Sequence, residues 1–197
     1  MCGLVLRAPK GDRVRPTQDR VREAVFSMLG AKVPGARTLD LFAGTGALGL
    51  EAASRGAASV AWVEQDKRVV EVLRQNAALL EKSACVAEVV CDEAARFLKR
   101  IAGDVESRKS EVENRLPQFD LVFADPPYEW VARAGWQKTM DALAAGVLAE
   151  GGLFIAEQSA DQPAWSGEGW DLLRDKAYGG TRVCMYRKKE NTDGIGA

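Results

Sequence analysis

The chain has 197 residues, 47% hydrophobic and 28% charged, with a formal net charge of -1. Those proportions suit one soluble globular domain with a buried core and exclude a disordered chain, a collagen-like rod or a disulfide scaffold. Histidine is absent, which removes Ser-His-Asp hydrolysis, imidazole general bases and nearly all zinc catalysis.

The opening MCGLVLRAPKGDRVRPT lacks the apolar stretch and cleavage site of a secretory signal, and no later run is long and uncharged enough to span a bilayer, so a cytoplasmic protein is expected. Residues 17–29 place Val21, Val25, Phe26 and Leu29 at intervals of three and four behind Thr17 and Asp19, the pattern of an amphipathic helix. Residues 38–43 read as a buried strand, Gly44-Thr45-Gly46 as a tight turn, and 47–54 as a helix ending near Gly56. A second strand over 59–64 leads into a helix over 67–80, with Val69, Val72, Leu73, Asn76 and Leu80 on one face. A third strand at 86–91 and a helix at 93–101 precede a stretch of mixed charge from 99 to 115, expected as solvated helix or loop.

A fourth strand follows at 119–124, a helix within 131–148, and a fifth strand at 153–157 after Gly151-Gly152. Residues 170–178 and 182–187 form a closing hairpin across Gly179-Gly180. Repeated strand-helix units with a terminal hairpin describe an α/β doubly wound, mostly parallel seven-stranded sheet with one antiparallel edge. One domain spans residues 1–190, its first 30 residues packed on it as a leading segment and helix, with 191–197 as a frayed tail. Cys2, Cys85, Cys91 and Cys184 show no C-x-x-C pairing and are expected as buried free thiols, with no metal site.

The segment LDLFAGTGALGLE carries Gly44, Gly46 and Gly49 as G-x-G-x-x-G between the first strand and its helix. Such glycines let the backbone approach a nucleoside, and Glu64 at the end of the next strand can accept from both ribose hydroxyls. The arrangement serves NAD and S-adenosylmethionine (SAM) alike. Asp40 tips the balance to SAM, because a carboxylate repels pyrophosphate and attracts a cationic amino acid moiety. Phe42, Ala43, Thr45 and Gln65 complete the candidate cofactor site. Asp92 and Glu93 follow the third strand, where either could accept from the adenine amine or merely cap the next helix.

After the fourth strand comes VFADPPYEW, with Asp125, Pro126, Pro127 and Tyr128 at the carboxyl edge of the sheet, where doubly wound folds keep their ligands. Prolines stiffen the turn and lack amide donors, so the corner offers acceptors only and suits an amine bearing two hydrogens. If Asp125 and the Pro126 carbonyl each accept one N–H, a ring-conjugated amine can pyramidalise and aim its lone pair at an activated methyl. Tyr128 would stack on an unpaired or flipped base. Adenine N6, cytosine N4, guanine N2 and a protein glutamine amide all fit this corner.

The stretches RPTQDRVREAVFSML, LDLFAGTGALGLEAASRGA, VEQD, FDLVFADPPY and GGTRVCMYRK together resemble the bacterial RsmD-type 16S ribosomal RNA guanine-N2 methyltransferases. The resemblance runs over most of the chain and implies a class I, Rossmann-like SAM-binding sheet. It implies methyl transfer from SAM to guanine N2 of 16S ribosomal RNA, at guanine 966 in the family, on assembled or partly assembled particles; the expected partner is 16S ribosomal RNA or the small ribosomal subunit, and the protein is expected as a monomer without metal. On matching positions it implies that Asp125, Pro126, Pro127 and Tyr128 hold the guanine, and that Asp40, Ala43, Gly44, Gly46 and Glu64 line the cofactor site. Arg15, Thr17, Arg20 and Arg22 would sit at the cofactor and RNA entrance; from physics alone these arginines are phosphate contacts or a solvated helix face. The family's longer basic, glycine-rich opening hairpin is reduced here to GLVLRAPKGDRV. The alternatives are another amino-methyltransferase acting on DNA adenine N6 or protein glutamine, an NAD-binding oxidoreductase, or a noncatalytic binding module.

Overall fold

The structure is a computed structural model that describes residues 16–81, 83–107, 118–127 and 135–189. Among these residues seven strands form one sheet: β1 (Arg37–Asp40), β2 (Ser59–Glu64), β3 (Val86–Cys91), β4 (Phe119–Ala124), β5 (Leu148–Ser159), β6 (Trp170–Tyr178) and β7 (Thr181–Lys188). Their order is β3-β2-β1-β4-β5-β7-β6. The first five pair in parallel, and β7 runs antiparallel to both β5 and β6. The order reverses between β1 and β4, so the crevice of the fold opens at their carboxyl ends.

The helices are α1 (Pro16–Leu29), α2 (Ala47–Ser54), α3 (Lys67–Ala77), α4 (Ala94–Ser107) and α5 (Gly135–Ala142). Strand alternation divides the core into two layers. Val60, Trp62, Leu121, Phe123, Leu153, Ile155, Val183 and Met185 face α1, α2 and α3, whereas Ala61, Val63, Val122, Ala124, Phe154, Ala156, Cys184 and Tyr186 face α4 and α5. On the first side Phe26 of α1 meets Phe123 with ring centroids 5.7 Å apart. On the second, Trp136 of α5 sets its edge against Phe154 at 5.7 Å. The start of β1 is tied to β4 by Arg37, whose backbone N–H and guanidinium donate to the Asp120 carboxylate at 2.8–3.0 Å.

Several expected boundaries move. The first strand stops at Asp40 instead of residue 43, because Leu41 and Ala43 turn their amides to Phe123 and Val63 as the chain leaves the sheet. The helix expected at 93–101 begins at Ala94 and continues to Ser107, and its burial of Phe97, Leu98 and Ile101 sets the helical phase. The fifth strand starts at Leu148, with a register shift opposite Phe119 and Leu121 that absorbs the Gly151-Gly152 kink. On α3 the buried face is Val70, Leu73 and Asn76, followed by Leu80 in a 3-10 turn; Val69 and Val72 flank it. The thiols are free, but Cys184 is buried, Cys85 half-buried and Cys91 exposed on the edge strand β3. Cys2, the tail 191–197 and most of the charged stretch beyond Ser107 lie outside the described residues. Among the described residues no helix is long and apolar enough to cross a membrane, and no acid, cysteine or histidine cluster could hold a metal.

Candidate active site

A cavity of about 670 Å³ opens at the carboxyl ends of β1, β2, β3, β4 and β5. Its walls include Phe42 and Gly44 from the glycine turn, Glu64 and Gln65 after β2, Asp92 and Glu93 after β3, and Asp125, Pro126 and Pro127 after β4. These wall segments lie where parallel strands end, and the topology brings together lining residues up to 140 positions apart in the chain, from Leu41 to Thr181. Asp40, Ala43, Thr45 and Gly46, also expected in the cofactor site, are not among the lining residues. Asp40, Ala43 and Gly46 are buried and Thr45 is half-buried.

The turn is built for close approach. Gly44 and Gly46 adopt φ of 52° and 88°, which favour glycine. A Cβ on Gly46 would come 2.5 Å from Leu73 Cδ1. The turn is pinned from two sides: the Gly44 N–H donates to Glu64 Oε2 at 3.0 Å, and the Asn76 side chain donates to the Thr45 carbonyl at 2.9 Å. Glu64 Oε1 accepts from the Asp66 N–H at 2.9 Å, so this carboxylate is fixed in orientation at the cavity wall. Asn76 was legible only as part of an apolar helix face. Its buried amide is a clasp on the glycine turn.

Asp92 is engaged with its own helix. Its Oδ1 accepts from the Glu93 N–H at 2.9 Å and pairs with Arg96 at 3.1 Å, while Oδ2 faces Arg100 at 3.6 Å. Glu93 lines the same wall with an exposed side chain.

The electrostatics of the site are dominated by acids. Asp40 is fully buried, neither oxygen closes a hydrogen bond of good geometry, and burial pushes its carboxyl up to about 7. The backbone amides of Gly49 and Phe42 offset part of that rise, and the charges of Asp125 and Glu64 add to it. Asp125 opens to the cavity but is hemmed in by protein behind, and the loss of water raises its pKa. Glu157, at the end of β5, was read only as the last residue of a strand. It lines the cavity, and burial followed by the charges of Asp125 and Asp40 pushes it up to about 8. Gln158 and Thr181 complete that side.

Of the expected RNA-facing arginines, Arg22 is half-buried, pairs with Asp19 at 2.8 Å and lies close enough to Glu157 to favour its ionised form. Arg20 is exposed; two residues away, it projects to the opposite flank of α1. Arg15 and Tyr128 lie outside the described residues, and of Thr17 only the backbone, within α1, is described. The assembled site is an acid-lined pocket with an acceptor-only corner, suited to a cationic nucleoside and a donor group and hostile to pyrophosphate.

Comparison with known proteins agrees with that geometry. The family model described as conserved hypothetical protein 95 matches residues 1–187. The ribosomal RNA small subunit methyltransferase D of Haemophilus influenzae is 33% identical over 96% of this chain and 89% of its own length. The protein of the same name from Escherichia coli K12 is 35% identical over 95% of this chain and 86% of its own. A solved structure of a hypothetical protein from Thermus thermophilus superposes with a TM-score of 0.72 at 28% identity, covering 94% of each chain. The chain therefore belongs to the conserved hypothetical protein 95 family, the RsmD-type methyltransferases, and has their seven-stranded Rossmann-like fold.

Proposed function

We propose that this protein is a SAM-dependent methyltransferase that forms N2-methylguanine in 16S ribosomal RNA, at guanine 966 by family resemblance. The observation that carries the proposal is the Asp125-Pro126-Pro127 corner opening onto the same acidic cavity as the glycine turn. The names of its relatives support ribosomal RNA of the small subunit as the substrate.

The site fits the cofactor on its own terms. Both oxygens of buried Asp40 lack a hydrogen-bond partner, a cationic ligand would favour its ionised form, and Gly44 leaves the cavity wall free of side chain. When bound, SAM supplies a methyl already activated by its sulfonium. Glu64 would hold the ribose hydroxyls with lone pairs left over from its two backbone contacts. Asp92 or Glu93 would accept from the adenine amine, and Phe42 would line the same pocket.

The remaining work belongs to the chain's own atoms. Asp125 and the Pro126 carbonyl each accept one N–H of the guanine amine, which localises its lone pair and fixes the direction of attack. The Pro126 and Pro127 rings hold that corner rigid, so little reorganisation accompanies reaction. As the amine gains a methyl it becomes cationic and sheds a proton, and Asp125, with its pKa raised by burial, is placed to take it. Tyr128 would stack on the flipped base, and Arg22, on the flank of α1 nearest Glu157, would contact the RNA backbone.

The test incubates the protein with labelled SAM and, separately, naked 16S ribosomal RNA, undermethylated small subunits, DNA and a glutamine-bearing protein. Label is expected as N2-methylguanine in the ribosomal samples. Label in adenine or glutamine would replace the substrate assignment, and binding of NAD without SAM would end it.

A further inference from the structure

Strands β4 and β5 run parallel with Phe123 opposite Ile155 and Ala124 opposite Ala156. One step further along each strand stand Asp125 and Glu157, so the two carboxylates emerge side by side at the carboxyl edge. Strand alternation sends both toward the side occupied by α1. They line one cavity together with Pro126 and Pro127. Among the described residues the Glu157 carboxylate has no hydrogen bond or close ion pair; Arg22 is its cationic neighbour at longer range. The mechanism above uses Asp125 and leaves Glu157 unassigned.

Two adjacent acceptors select a particular edge of a base. In guanine the amine at C2 is flanked by N1–H, a second donor. In adenine and cytosine the reactive amine is flanked by a ring nitrogen that accepts, and in a glutamine amide by a carbonyl. A carboxylate beside the amine-binding corner therefore completes a donor pair in guanine and confronts a lone pair in the others.

We infer that Glu157 is the specificity-determining residue of this site, accepting the guanine N1–H while Asp125 accepts from the amine. This rests on the proposed guanine-N2 activity and identifies which residue reads the base. Arg22 favours the charged, acceptor form of Glu157 from the side of α1. An adenine presented to the same corner meets an unpaired carboxylate, the kind of mismatch by which hydrogen-bonding sites reject analogues most strongly.

The test compares two substrates: small subunits reconstituted with 16S ribosomal RNA carrying either guanine or 2-aminopurine at the methylated position. The analogue keeps the C2 amine but has an accepting N1. Rates are read at about pH 8.5, where Glu157 is ionised. Wild type is expected to prefer guanine strongly, and E157Q, whose amide donates as well as accepts, to lower that preference by at least about tenfold. Both proteins are checked for SAM binding and melting temperature; should E157Q be unstable, E157A provides the same ratio with the acceptor removed. Wild type that methylates guanine, with a preference unchanged in either variant, overturns the role of Glu157 and leaves the activity standing. Wild type that methylates neither base overturns the activity and the role together.

Discussion

In the proposed reaction two carboxylates at the cavity wall have separable duties, and substitution can tell them apart. Asp125 is assigned to the amine, so Asp125→Ala is expected to leave SAM affinity nearly intact while methyl transfer falls by about 10²–10³-fold, the usual effect of losing one preorganised electrostatic partner. Equilibrium dialysis beside single-turnover rates would show it, and retained turnover would remove the assignment. Glu64 is different because it already accepts the Gly44 and Asp66 amides. Glu64→Ala strands those donors as well as the ribose hydroxyls, and should weaken SAM binding by about 1–3 kcal/mol; an unchanged Kd would refute the contact. The D-P-P-Y and G-x-G-x-x-G spacings made both acids legible in the sequence, since Asp125 follows β4 directly and Glu64 closes β2. Glu157 and Asn76 were not legible as site residues. Their places depend on which strand lies beside which, and on a buried side chain meeting a turn 31 positions away.

At the level of elements, the seating of α2 on β2 depends on Gly49. A Cβ there would press on Val60 Cγ1 and Trp62 Cε2 at 2.6 Å, and Trp62 is completely buried with no room to retreat. Gly49→Ala should cost about 1–3 kcal/mol through overpacking, seen as a lower denaturation midpoint and a loosened cofactor turn; wild-type stability would show that α2 can slide. Periodicity gave β2, β3, β4 and β6 to the residue, because alternating or fully apolar runs bounded by glycine and charge leave little freedom. It failed where tertiary contacts set the ends. Nothing local tells β1 to stop at Asp40, and α4 continues beyond residue 101 into a polar stretch.

Across the whole molecule, the acid cluster couples proton uptake to both folding and ligand binding. Asp40 at about 7 and Glu157 at about 8 hold their protons in the fold at pH values where the unfolded chain has already released them. At these two groups the folded state therefore binds more protons, and their contribution to ligand-free stability is full below about pH 4 and declines as pH rises toward 8. Between about pH 6 and 7.5 the melting temperature of the free protein should fall, and E157Q should fall less. A cationic ligand favours the ionised acids, so SAM affinity should strengthen over that same interval, opposite in sign to stability. Calorimetry and equilibrium binding on one preparation would check both slopes, and parallel slopes would contradict the cluster. Net composition carried no hint of this, since a chain with charge of -1 conceals five acids lining one cavity.

The last described strand is not the outermost in the sheet. Since β7 lies between β5 and β6, residues 181–188 fill an interior slot. Until they are in place β5 keeps an unpaired margin and β6 has no neighbour at all. The sheet therefore gains its two outer strands together, as one closing event.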